Sequence, residues 1–123
     1  MAGHRIIQLR RGKTKACMQY PGMQDEIVLD IDLWRVRLYP ENRLLDKGEL
    51  ASIYIENGYR LYLDFNHSLF VKPHPDQTLR FKLCHATRAA ADAYTGSEGE
   101  LIFVEDEKSI YVCDGRTPGG ILL

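Results

Sequence analysis

The feature that most constrains this chain is a repeat. Glu100 lies 74 positions after Glu26, and the same spacing sets Leu83 on Leu9, Ala90 on Ala16, Tyr94 on Tyr20, Gly96 on Gly22 and Asp106 on Asp32. Self-similarity of this kind marks a duplicated supersecondary unit. The order of parts is the same in both copies, about residues 5–41 and 79–115: a strand, a short helix, a Tyr-x-Gly stop, an acidic residue and a hairpin.

The second copy is the plainer one. Leu79–Cys84 reads as a strand, and Thr87 caps a short alanine-rich helix that ends at Gly96. The apolar runs Leu101–Val104 and Ser109–Cys113 then flank Glu105-Asp106-Glu107-Lys108, whose charges cannot extend either apolar face, so a hairpin is predicted. Asp114-Gly115 and Pro118-Gly119-Gly120 stop it. In the first copy, His4–Arg10 reads as the strand and Thr14 as the cap of a helix closed by Pro21-Gly22. Glu26–Asp30 and Arg35–Tyr39 form the hairpin, which Pro40 breaks.

A third hairpin is expected between the copies, over residues 48–65. Ile53–Glu56 and Tyr59–Leu63 are joined by Asn57-Gly58, a pair suited to a type I′ turn because both positions need positive φ. That pairing sets Tyr54 opposite Leu61 and Ile53 opposite Tyr62, giving two apolar faces that need cover. His67–Gln77, with Pro73 and Pro75, reads as an extended connector. The fold class is therefore mainly β: three hairpins in small sheets, one or two short helices and an internal duplication, within a single domain of 123 residues.

Composition narrows the function. Sixteen basic side chains nearly cancel seventeen acidic ones, which speaks against a partner bound through phosphates or an anionic membrane surface. The basic cluster Arg10-Arg11-Lys13-Lys15 is read as solvated or bridging subunits. No run approaches the roughly 18 apolar residues of a membrane span, and no apolar signal core opens the chain. His4, His67, His74 and His85 match no zinc spacing, and Cys84-His85, as strand neighbours, point to opposite faces. Asp30 and Asp32 are spaced to share one strand face, as a cation site or acid and base would require, but Asp is favoured in turns in any case. No nucleophile, base and orienting group come together, so neither an enzyme nor a metal or cofactor is expected.

The start IIQLRRGKT and the later GELIFVEDEKSIYVCDGRTPGG resemble the two ends of a module of bacteriophage tail-fibre and other virion appendage proteins. That module runs from Leu-Arg-Arg-Gly-Thr through a short helix and an acidic Gly-Glu hairpin to Gly-Asp-Gly-Thr-Thr-Pro, and is similar to the N-terminal β-prism region of phage tropism-determinant fibres. The first copy supplies Leu9-Arg10-Arg11-Gly12 and Glu26; the second supplies Gly99-Glu100, Asp106 and Asp114-Gly115-Arg116-Thr117-Pro118. Each lacks the other's end of the pattern: Tyr39-Pro40-Glu41 replaces the closing turn, and Leu83-Cys84-His85-Ala86 the opening one. The resemblance implies a β-prism-like fold, a homotrimer, a place in the virion after synthesis in the host cytoplasm, and partners among capsid, collar, tail or fibre proteins. The role implied is appendage, collar, fibre attachment or capsid decoration; the balanced charge, for its part, leads to the expectation of no nucleic acid or membrane partner.

The physical reading of the motif is structural. Gly12, Gly115 and Gly119 stand where turns want positive φ, and Glu26, Glu49 and Glu100 stand where strands begin and backbone N–H groups need an acceptor. Hairpins too slight to be stable alone make oligomerisation the expected route to burial. The interface candidates are Trp34, Tyr54, Tyr59 and Tyr62, from residue types enriched in protein contacts, and the apolar tail Ile121-Leu122-Leu123. Cys84 and Cys113 are candidates for disulfides between chains outside the reducing cytosol. The alternative function is an adhesin that meets a host glycan or protein through the Tyr-rich central hairpin.

Overall fold

In the computed structural model the described residues are 6–56, 58–63, 68–73 and 83–123, with backbone alone at 55–56. The chain is mainly β, with ten short strands in three small sheets among the described residues. It divides into two compact units, one of Leu9–Arg80 and the other of Met1–Gln8 with Phe81–Leu123.

The unit of Leu9–Arg80 starts with β1 (Arg11–Gly12) and α1 (Thr14–Gln19), followed by β2 (Ile27–Asp30), β3 (Arg35–Leu38) and β4 (Arg43–Leu44). These strands form one sheet in sequence order, with β1 parallel to β2 and the other pairs antiparallel. All four residues of β2 are buried, which suits a run of Ile, Val and Leu covered on both faces. On one face Val28 packs with Cys17 of α1 and with Tyr39. The loop before β2 is tied to β6 (Leu69–Pro73): Val71 N–H donates to the Asp25 carbonyl at 2.8 Å, and Glu26 bridges Phe70.

The central segment differs from the expected hairpin. Asp46 caps α2 (Lys47–Ala51) in a capping box: its side chain accepts from Glu49 N–H, and the Glu49 carboxylate accepts from Asp46 N–H. A π-helical turn, Ser52–Glu56, continues it, so Ile53–Glu56 is helical. β5 (Tyr59–Leu63) pairs instead with β6, in the stretch read as a connector, setting Leu61 opposite Val71 and Tyr62 opposite Phe70. The reason is local. Asp-x-x-Glu satisfies two helix-end donors, and Leu69-Phe70-Val71 offers β5 apolar cross-strand partners. Gly58 does have φ +70°, while Asn57, His67 and Pro75 lie outside the described residues. Glu49 accepts a backbone N–H as expected, but within a helix rather than where a strand begins.

The other unit holds β7 (Cys84–Ala86), α3 (Arg88–Asp92), β8 (Leu101–Val104), β9 (Ser109–Val112) and β10 (Ile121–Leu122). The sheet order is β10-β9-β8-β7, with β7 parallel to β8. Ala91 of α3 packs on Ile102, Val104 and Cys113. Thr87 caps α3 by accepting from Ala90 N–H, whereas the cap of α1 is Lys13, and the Thr14 hydroxyl goes to Asp30 instead. The first strand of each copy starts later than expected, at Arg11 and Cys84; His4 and residues 79–82 are outside the described set. With α2 the α-helices among the described residues number three, against the one or two expected, and Gly12 is a strand residue rather than a positive-φ turn; Gly115 and Gly119 do have positive φ.

The duplication is internal and close. Strands β2 and β8, and β3 and β9, have the same lengths at a spacing of 74 residues. The Tyr20 hydroxyl donates to Glu26 Oε2 at 2.8 Å, as Tyr94 does to Glu100 Oε2 at 2.7 Å. Met23 N–H and Ser97 N–H close the other oxygens, Oε1, at 2.9 and 3.1 Å. Both carboxylates are buried, so the Tyr-x-Gly and Glu of the motif form an interior latch.

Candidate interaction surface

The titratable side chains singled out in the sequence are largely occupied by internal bonds. Asp30 is fully buried, and its oxygens accept from the Thr14 hydroxyl (2.8 and 2.9 Å), Arg37 Nε (3.0 Å), Asp32 N–H (3.0 Å) and Leu33 N–H (3.2 Å). Burial pushes its carboxyl up, but these donors, Thr14 and Arg37 foremost, outweigh it and hold the group below the usual carboxylate range. Asp32 Oδ2 takes Thr14 N–H at 3.0 Å. The pair braces a turn, and among the described residues no group of three or more His, Cys, Asp or Glu is placed to hold a metal ion. His85 sits beside Glu105 at 3.2 Å and edge-on to Phe103.

The closing Asp114-Gly-Arg-Thr-Pro is likewise a turn. Asp114 Oδ1 accepts from Thr117 N–H at 2.6 Å and Arg116 N–H at 2.8 Å, and Oδ2 from the Thr117 hydroxyl at 2.8 Å. These bonds lower its carboxyl to about 2. A depressed native value stabilises above the unfolded value of about 3.9, and that share is lost as pH falls toward 2. Asp114→Asn is therefore expected to flatten the acid limb of a stability-against-pH curve between about pH 4 and 2, measured by urea unfolding. An unchanged limb would contradict this account.

The interface candidates separate by exposure. Tyr62 is fully buried and Leu123 is 7% exposed, so neither is a surface group. Ile121 and Leu122 are half-buried in β10, paired with Val112 and Tyr111, and the apolar tail is an edge strand of its own sheet. Tyr54 and Trp34 are half-buried, and Tyr59 is exposed. Cys113 is buried in the cluster under α3 and Cys84 is half-buried, with burial pushing both thiols up toward the protonated form. An interchain disulfide would need the Cys113 thiol to leave that cluster.

Three features were not singled out in the sequence. Leu33, at the tip of the β2–β3 turn, is 48% exposed next to Trp34, whose φ is +53°. A cavity of about 370 Å³ in the same unit is walled by Leu38, Leu45, Ile53, Val71 and Pro73, with Asp25, Arg43, Glu49, Ser52 and Tyr59 also lining it. Arg43 and Glu49 are ion-paired there. It depends on the α2 segment and on the β5–β6 pairing, so the sequence held no direct signal of it. A smaller cleft of about 150 Å³ between β1 and α1 is lined by Arg10, Cys17, Tyr20 and Val28. The Arg10 guanidinium there already meets Glu26 at 3.7 Å and the Ser68 hydroxyl at 3.2 Å.

Comparison with protein-family models, with curated proteins and with solved structures finds no match to this chain.

Proposed function

We propose that this protein is a structural component of a phage virion, an appendage, collar, fibre-attachment or capsid-decorating element, and that it acts by assembling with copies of itself and with other virion proteins. The observation that carries the reading is where the motif residues go. Glu26, Glu100, Asp106 and Asp114 each accept backbone N–H groups of their own unit, so the pattern shared with the appendage module specifies a shape rather than a chemistry. A shape-specifying module repeated in one chain suits a building block. The adhesin alternative is left with Tyr59 and the half-buried Tyr54, since Tyr62 is interior.

Sedimentation velocity of the purified chain tests this. A trimer at micromolar concentration is the expected result, and a compact monomer there would overturn the assembly reading.

A further inference from the structure

We propose that the β2–β3 turn is a knob that seats in the 370 Å³ cavity of a second copy of this chain. This inference rests on the assembly reading above and names the surfaces through which copies meet.

The chain carries its own control. The β8–β9 turn, Glu105-Asp106-Glu107-Lys108, has the same backbone as Ile31-Asp32-Leu33-Trp34: Lys108 has φ +51° where Trp34 has +53°. Two bonds anchor both turns alike, although Asp30 also accepts from Asp32 N–H and Leu33 N–H where the other copy has Val104 and uses the backbone bonds of Glu107 N–H to the Val104 carbonyl and Lys108 N–H to the Glu105 carbonyl. Ile31 N–H reaches the Gly12 carbonyl and Glu105 N–H the Ala86 carbonyl, each at 2.9 Å, while Asp32 and Asp106 accept from Thr14 N–H and Arg88 N–H. Four exposed charged residues thus satisfy this turn fully in one copy. In the other copy Ile31 and Trp34 are half-buried and Leu33 is exposed, and the bonds that shape the turn use none of these three side chains. A bulky residue in the left-handed region is moreover unfavourable and stays only where something else selects it.

The cavity is the complement. Its apolar walls are open to solvent at a size that suits one or two large side chains, below most of the 300–1,000 Å³ range of small-molecule sites. Charges match as well. Asp25 and Glu49 outnumber Arg43 among the residues lining the cavity. At the knob, the exposed cation Lys13 stands beside Thr14, whose N–H holds Asp32, and Arg35 follows Trp34 in the chain with its guanidinium on the Leu45 carbonyl at 3.2 Å. Knob and cavity are different surfaces of one unit, and in the trimer proposed above each knob enters the next copy's cavity, a heterologous contact that closes as a ring.

Trp34 is the chain's single tryptophan and sits in the knob, so its fluorescence reads the contact. With rising concentration its emission is expected to move to the blue and to resist acrylamide quenching. Leu33→Glu in the knob and Ser52→Phe in the cavity should each raise the midpoint about tenfold or more. Ile31→Glu, Leu33→Glu and Trp34→Lys together, which copy a turn that this chain already folds, should give a monomer by sedimentation with an unchanged circular dichroism spectrum. Mixing the Leu33→Glu and Ser52→Phe chains should restore one contact and stop at a dimer. Oligomers with unshifted midpoints in these variants would overturn the knob and leave the assembly reading standing. A wild-type monomer at every concentration would overturn both.

Discussion

Asp30→Ala is expected to cost about 4 kcal/mol or more, and Arg37→Met about 3 kcal/mol, in urea unfolding followed by Trp34 fluorescence at neutral pH. The two side chains form a buried ion pair, 0% and 7% exposed, with Arg37 Nε 3.0 Å from Asp30 Oδ2. Removing one member of such a pair leaves the other desolvated and uncompensated, which costs about 3–5 kcal/mol. The two substitutions are not equivalent. Without Arg37 the carboxylate still has the Thr14 hydroxyl and the amides of Asp32 and Leu33. Without Asp30 all of these lose their acceptor, as does the guanidinium, whose remaining bonds run to Asn42. Against a typical total stability of about 5–15 kcal/mol, the aspartate change brings the protein near unfolding. A loss below about 1 kcal/mol for Asp30→Ala would sink this account of the hairpin.

Gly22→Ala is expected to cost about 2–5 kcal/mol in the same measurement, combining left-handed strain of about 1–2 kcal/mol with overpacking of about 1–3 kcal/mol. Gly22 has φ +53°, and a Cβ there would lie 2.3 Å from Cγ of the fully buried Tyr39 ring. The ring cannot withdraw without breaking its 2.9 Å hydroxyl bond to the Cys17 carbonyl. Its counterpart Gly96 makes a useful contrast. A Cβ at Gly96 would meet Cys113 Sγ at 2.6 Å and Glu100 Oε1 at 2.7 Å, but the backbone carries no positive φ. Gly96→Ala should therefore lack the strain contribution and cost about 1–3 kcal/mol, with the Cys113 thiol becoming more reactive toward an aromatic disulfide reagent. Equal losses at the two glycines would show that φ strain does not separate them.

These two sites also show what the sequence made legible. The hairpins β2–β3 and β8–β9 were readable because short apolar runs met turn residues at close range, and the repeat was readable because Tyr, Gly and Glu recur at one spacing. The centre was misread for a physical reason: Asn57-Gly58 and the capping box at Asp46 are both strong local signals, and the apolar strand that follows β5 decided between them. Leu69-Phe70-Val71 gave β5 a better partner than the residues next to it. The role of Asp30 was hidden in the same way. Its spacing from Asp32 suggested a shared strand face or a pair of turn residues, while its ion-pair partner, Arg37, lies across the hairpin. The cavity was hidden most completely, because the residues around it belong to segments brought together only by that central packing.

One consequence of the twin turns concerns redesign. The backbone of the β8–β9 turn is shaped by amides, carbonyls and Asp106, while the exposed Glu105 and Glu107 side chains reach outward to His85, Tyr111 and Arg88. Such a loop is a natural grafting point: foreign recognition residues written into positions 105, 107 and 108 should be presented in a fixed geometry by the backbone, at the cost only of the exposed contacts of Glu105 and Glu107 with His85, Tyr111 and Arg88.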